Sequence, residues 1–248
     1  VSTVEDLRVV RYIADSTQVT PNYEQYELLN RLAGDQGHPT VLPPRSPVSQ
    51  MLAQWTGATN LAYLTVDAPE ELERTLEALG RAADGVYEAI VGCDTPFVEL
   101  GDNLSGEVAT RLVEQYQFDY YVRRVVQLHA AGKKVGVHLD GTVRPILPLL
   151  VKTGIDFVEA ITPKPVGDVA VEELRDLAGP DLILFGGLPG AMFAPPFGRA
   201  QIRRQVELIV EHHWEDGKFI LGSADQVPPN GDIGLVKFVG ELVEDLCS

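Results

Sequence analysis

His138 and Asp140 are the pair in this sequence with the sharpest chemical promise. They stand two apart at the end of an apolar run, Val135-Gly-Val-His-Leu-Asp-Gly. Positions i and i+2 of an extended strand project to one face, so the imidazole and the carboxylate are expected in a single cavity. Their α-carbons would be about 6–7 Å apart, a span that one metal ion or one substrate group can bridge. Gly141 then lets the backbone turn or approach a ligand closely. A lone His-x-Asp could equally be a hydrogen-bonded core histidine followed by a helix-capping aspartate. Acids at the ends of other apolar runs count against that reading. Glu99, Asp102 and Asn103 follow Phe97-Val, Glu159 lies in Phe157-Val-Glu-Ala, and Ser223 and Asp225 close Phe219-Ile-Leu-Gly-Ser-Ala-Asp. Carboxylates crowded in one mouth need a cation, a shared proton or a polar substrate.

Glu159 is hard to read as structural, because a carboxylate seldom sits in a buried strand without a partner. Asp102-Asn103 is also ordinary turn chemistry. Arg45, beside Ser46-Pro47, reads as an anion contact or a surface charge. Gly186 and Gly187 close the run Leu182–Phe185, and Pro163, Pro165 and Gly167-Asp168 form a stiff loop after Glu159. His212-His213, near a helix end, reads as a solvated or dipole-stabilised pair. Cys93 and Cys247 lack a second Cys or His at ligand spacing, which argues against a thiolate zinc site and a disulfide framework.

These residues need strands to carry them. Compact apolar runs at Pro39–Pro43, Pro96–Leu100, Lys134–Leu139, Phe157–Ile161, Leu182–Phe185 and Lys218–Leu221 read as parallel strands buried on both faces. Amphipathic stretches separate them: Pro69–Ala89, Ser105–Ala131 as two helices, Arg144–Thr153, Val171–Ala178, Arg199–Glu211 and Ile233–Leu246. Gly132, Gly154 and Gly179 stand where helices should stop, and Asp168 is placed to put negative charge at the helix start before Val171. The alternation predicts one α/β domain over residues 1–248, either a doubly wound sheet or a barrel. No glycine-rich dinucleotide fingerprint follows a strand, which favours the barrel. A barrel wants eight strands and six are visible.

Composition narrows the function classes. Of 248 residues, 45% are hydrophobic and 23% charged, which suits a globular protein with a real core. Lys+Arg is 20 against Asp+Glu 36, and the net charge of −16 disfavours nucleic acid and anionic lipid. Neither a signal peptide nor a membrane span is visible, so a cytoplasmic location is expected.

At Gly136-Val-His-Leu-Asp-Gly, followed by Arg144-Pro-Ile-Leu-Pro-Leu-Leu, Gly154-Ile-Asp and Glu159, the chain resembles the uroporphyrinogen decarboxylase superfamily. That superfamily includes cobalamin-dependent methyltransferases acting on thiols. The resemblance continues through Leu184-Phe-Gly-Gly-Leu and Leu221-Gly-Ser-Ala-Asp-Gln-Val-Pro-Pro-Asn. It reaches back to Ala130-Ala-Gly-Lys, Leu100-Gly-Asp-Asn and Val41-Leu-Pro-Pro-Arg-Ser-Pro. It implies a TIM-like (β/α)8 barrel of which this chain is the C-terminal two-thirds, with the remaining strands upstream of Val1.

The methyltransferase branch holds zinc with His-x-Cys-Gly and a further Cys near the Pro-Pro turn. Here His138 matches, Asp140 stands at the first Cys position and Asp225 lies about where the second would be. Such hard ligands suit oxygen chemistry better than thiol activation. The decarboxylase branch carries a tyrosine after the Pro47 region and a histidine before the Pro228 turn. This chain has Ala53 and Trp55 in the first neighbourhood, and Ala224 and Asp225 in the second.

The resulting expectation is a corrinoid-dependent methyltransferase acting on a small molecule. His138, Asp140 and Asp225 would ligate a divalent metal, zinc or another. Glu159 and Asp102 would be catalytic, and Arg45, Asn103, Gly187 and Ser223 would contact substrate. A corrinoid would come from a partner protein, and self-association into a homo-oligomer is open. The alternatives are a decarboxylase acting on a carboxylated, porphyrinogen-like substrate and a non-catalytic subunit that binds a corrinoid or tetrapyrrole.

Overall fold

The computed structural model describes residues 1–247. Along the chain the helices are α1 (Val4–Asp15), α2 (Glu24–Ala33), α3 (Pro47–Gln50), α4 (Gly57–Asp67), α5 (Pro69–Ala82) and α6 (Asp84–Gly92). Strand β1 (Phe97–Leu104) follows, then α7 (Thr110–Leu112), α8 (Phe118–Ala130) and β2 (Lys134–Leu139). The remainder alternates α9 (Leu147–Val151), β3 (Phe157–Ile161), α10 (Leu174–Ala178), β4 (Ile183–Pro189), α11 (Arg199–His213), β5 (Phe219–Ala224) and α12 (Ile233–Cys247). The five strands form one parallel sheet in sequential order, β1-β2-β3-β4-β5. Among the described residues no helix is long and apolar enough to cross a membrane.

The chain divides into two units. One contains residues 1–102 and 111–136, the other 103–110 and 137–248. In the first, α1, α4 and α5 pack around Leu7, Val10, Met51, Leu61 and Leu72, each at most 1% exposed. Helix α1 starts on a reciprocal cap: Asp6 N–H donates to Thr3 Oγ1, and Thr3 N–H donates back to the Asp6 carboxylate. Helix α5 opens with Pro69 at its first position and Glu70-Glu71 in its first turn, favourable chemistry for an exposed N-terminus. Helix α2 has no buried residue and is tethered by the hydroxyls of Tyr23, to Ala89 O, and Tyr26, to Asp94 O.

The second unit packs α11 and α12 against β4 and β5 through Leu188, Ile202, Val206, Ile209, Leu235 and Leu242. Register runs unbroken from Leu184↔Phe219 to Pro189↔Ala224. Strands β2 and β3 have the sequence-predicted bounds, whereas β1, β4 and β5 run several residues further than their apolar cores suggest.

Several expectations are corrected. Pro39–Pro43 is not a strand but a single parallel bridge, Val41 to Val98, because Pro39, Pro43 and Pro44 have no N–H to donate to a ladder. Pro69–Ala89 is two helices broken at Ala83. Arg144–Thr153 shrinks to α9, with Pro145 and Pro148 restricting its first turn. Helices α1, α2 and α4 carry apolar stripes that the strand-centred reading passed over.

Candidate functional site

Strand β2 sorts its side chains by alternation. Val135, Val137 and Leu139 are fully buried on one face, and His138 lies on the other with its side chain 16% exposed. Asp140 follows on the same side, and His138 Nε2 is 3.4 Å from its Oδ1. The other carboxylate oxygen of Asp140 accepts from Asn103 Nδ2 at 2.8 Å, and its N–H donates to Leu104 O at 2.8 Å. From β3, Glu159 Oε2 meets His138 Nδ1. The imidazole is therefore flanked by a carboxylate at each nitrogen. Asp140 stands at the end of the histidine's own strand, as the i, i+2 pattern predicts, and Glu159 comes from the next strand in the sheet.

The tautomer follows from the partners. A carboxylate accepts but does not donate, so Nδ1 carries a proton toward Glu159. Nε2 and Asp140 Oδ1 then face each other as two electron-pair donors, which favours a proton or a cation between them.

Each strand reaches its C-terminal end through left-handed backbone: Asn103 in β1 (φ 51°), Gly141 after β2 (62°), Ala160 in β3 (64°), Gly186 and Gly187 in β4 (131° and 89°) and Asp225 after β5 (59°). For Ala160 this conformation is strained, and such strain tends to gather at working sites.

The other predicted site residues are placed as follows. Asp102 is 4% exposed, and it accepts from Ser46 N–H (2.7 Å), Gln117 Nε2 (2.8 Å) and the Tyr121 hydroxyl (2.5 Å). Burial pushes its carboxyl above the usual aspartate range, against the pull of the Tyr121 and Ser46 hydrogen bonds and the nearby Arg45 charge. Arg45 is half-buried, with its carbonyl accepting from Gln50 Nε2. Gly187 is buried; a Cβ there would meet Ile209 and Phe219 at 2.8 Å, so its bareness serves packing of β4 against α11 and β5. Ser223 Oγ donates to Asp225 O at 3.3 Å, and Asp225 is exposed. The ligand atoms of His138, Asp140 and Asp225 do not all lie within 4.8 Å of one another.

Sequence reasoning missed the interior partners of Asp102. Gln117 and Tyr121 lie 15 and 19 positions away, with no spacing signal to mark them. It also misjudged His213, which is 2% exposed rather than solvated. The ring stacks on Phe219 at 4.9 Å and places Nε2 2.9 Å from Val171 O. Asp168 does not charge the helix start before Val171; its carboxylate turns to the backbone N–H groups of Val143 and Arg144.

A model of the uroporphyrinogen decarboxylase (URO-D) family matches residues 5–246, nearly the whole chain. The chain belongs to that family. No curated protein matches it. Among solved structures, a methyltransferase from Methanosarcina mazei is similar at a TM-score of 0.69 and 14% identity. The match covers 90% of this chain and 64% of that one, so the chain spans less than two-thirds of that protein's length. At such identity the likeness is one of fold, and it agrees with the parallel sheet and its helices.

A URO-D-family site that held zinc through two thiolates would need cysteines this chain does not place there. Cys93 is buried in the first unit and Cys247 ends α12. The thiolate set does not fit. An imidazole with oxygen donors does fit a harder or borderline divalent ion, and Nε2 facing Oδ1 is the observation that makes such an ion plausible chemistry.

Proposed function

We propose that this URO-D-family chain belongs to a TIM-like barrel enzyme that transfers a methyl group to or from a small molecule, with a corrinoid protein as the other party. The reading is carried by the His138 imidazole held between Glu159 and Asp140 at adjacent strand ends. Glu159 fixes the ring orientation and the Nδ1 proton, so that the Nε2 lone pair faces Asp140. A substrate hydroxyl or similar nucleophile presented to Nε2 and Asp140 gives up its proton there, and Glu159 stabilises the imidazolium that results. Asn103, by donating to Asp140 Oδ2, keeps Oδ1 turned toward the ring. A divalent ion held by His138 and Asp140 would supply Lewis acidity to that same oxygen. A corrinoid on a separate carrier protein would supply or accept the methyl group.

The acids also bear on the alternative. A polycarboxylated porphyrinogen brought beside Glu159 and Asp140 meets like charge, which favours the methyltransferase reading over the decarboxylase one. The test is metal analysis of freshly purified protein, together with a spectroscopic assay of methylcobalamin demethylation by alcohols and thiols. Demethylation that His138→Ala abolishes supports the proposal. Release of carbon dioxide from a carboxylated substrate by metal-free protein overturns it. Tetrapyrrole binding without turnover overturns it in favour of a binding subunit.

A further inference from the structure

Strand β3 contains one residue too many for its partner. Phe157 pairs with Ile183 and Val158 with Leu184, but Ile161 pairs with Gly186 rather than one position further along. Three steps on β3 therefore match two on β4, and the extra length falls on Glu159 and Ala160. This is a bulge, a device that bends a strand and re-aims a side chain. Ala160 closes it in left-handed backbone at φ 64°, where a β-carbon is disfavoured.

The partner strand is shaped to receive it. Gly186 sits at φ 131°, and a Cβ there would lie 2.9 Å from both Ile161 N and Ile161 O and 3.3 Å from Ala160 C. Those are backbone atoms, which cannot swing aside. In an unbroken strand Glu159 would share a face with Ile161, which is fully buried. With the bulge it instead reaches His138 Nδ1.

We infer that Ala160 and Gly186 are positioning residues: the bulge they form aims Glu159 at His138 and so sets which ring nitrogen carries the proton. The inference deepens the proposed function, since it gives the imidazole its working tautomer. It also makes Gly186 of β4 part of the site's support.

NMR of the whole chain, ¹⁵N-labelled at histidine, tests this. A proton on Nδ1 bonded to a carboxylate gives a far-downfield signal, assigned to His138 by its loss in His138→Gln. Glu159→Gln should move the ring toward the other tautomer with the backbone unchanged. Gly186→Ala and Ala160→Val should do the same in protein whose amide spectrum is otherwise native, while Ala160→Gly should keep the signal. Persistence of the signal in folded Gly186→Ala or Ala160→Val overturns the inference. If neither variant folds, the wild-type Cα and carbonyl shifts of Ala160 still decide: ordinary strand values overturn it, and left-handed values together with retention of the signal in Ala160→Gly support it. A signal present in protein that moves no methyl group sinks the proposed function and leaves the positioning role standing. A signal absent from wild-type protein that does demethylate methylcobalamin overturns the positioning role and leaves the methyl-transfer reading standing.

Discussion

The Tyr121 hydroxyl donates to Asp102 Oδ2 at 2.5 Å inside the first unit, where both residues are almost wholly buried. Ser46 N–H and Gln117 Nε2 complete the surroundings of the carboxyl group. Asp102→Leu strands these donors and should cost about 3 kcal/mol or more in urea unfolding, whereas Asp102→Asn, which keeps an acceptor, should cost under about 1.5 kcal/mol.

The same group predicts a pH dependence. Burial raises the folded-state carboxyl above its ordinary value of 3.8. Between those two values the native state holds a proton that the unfolded chain has lost, so stability falls as pH rises through that window. Asp102→Asn lacks this titration. The difference in unfolding free energy, wild type minus variant, should therefore decline with rising pH across the window and then level off. A flat difference from pH 3 to 8 would show that the carboxyl is not perturbed.

Asp216 should behave in the opposite sense. Burial alone would raise its carboxyl, but the Lys218 N–H, the Arg175 guanidinium and His213 together hold it below the ordinary range. Its contribution is present above about pH 4 and is lost as pH falls through the lowered value. Asp216→Asn should destabilise at pH 7 and match wild type near pH 2, as read by paired chemical denaturation curves.

Arg124 is 2% exposed, with its guanidinium 4.1 Å from the centre of the Tyr87 ring and donating to Gly80 O and Asp84. Arg124→Ala should lower stability by about 3 kcal/mol, through lost packing as well as lost charge. Arg124→Lys should recover only part of this, since a lysine cannot stack a planar fork on the ring. Thermal unfolding of the two variants separates the contributions.

Glycine positions give the sharpest contrast. A Cβ on Gly167 would lie 1.8 Å from Thr162 O, while one on Gly37 meets nothing within 4 Å. Gly167→Ala should cost about 3 kcal/mol or prevent folding, and Gly37→Ala should stay within about 0.5 kcal/mol. Equal stability of the two variants would refute the tight turn after β3.

The sequence was most legible where period and chemistry coincide. Lys134–Leu139 and Phe157–Ile161 are strands with the predicted bounds, and His138 meets both Asp140 and Glu159. Legibility failed where long-range packing overrides local pattern. Asp168 looks like a helix-start acid beside Val171, yet its strongest use is 25 positions back at Val143, a link that spacing cannot reveal. His213 sits beside His212 near a helix end and reads as solvated, but the stacking of Phe219 buries one and leaves the other exposed. Ala160 carries no warning at all, because an alanine in an apolar run gives no sign of the register shift against β4 that accompanies its left-handed backbone.

Left-handed corners in or just after the C-terminal half of all five strands restrict how this chain can diversify. Wherever glycine, asparagine or aspartate fills such a corner, a β-branched replacement is closed to it by the steric limits of L-amino acids. New specificities must then be built from the connecting segments that leave those corners, with the corners themselves serving as fixed mounting points.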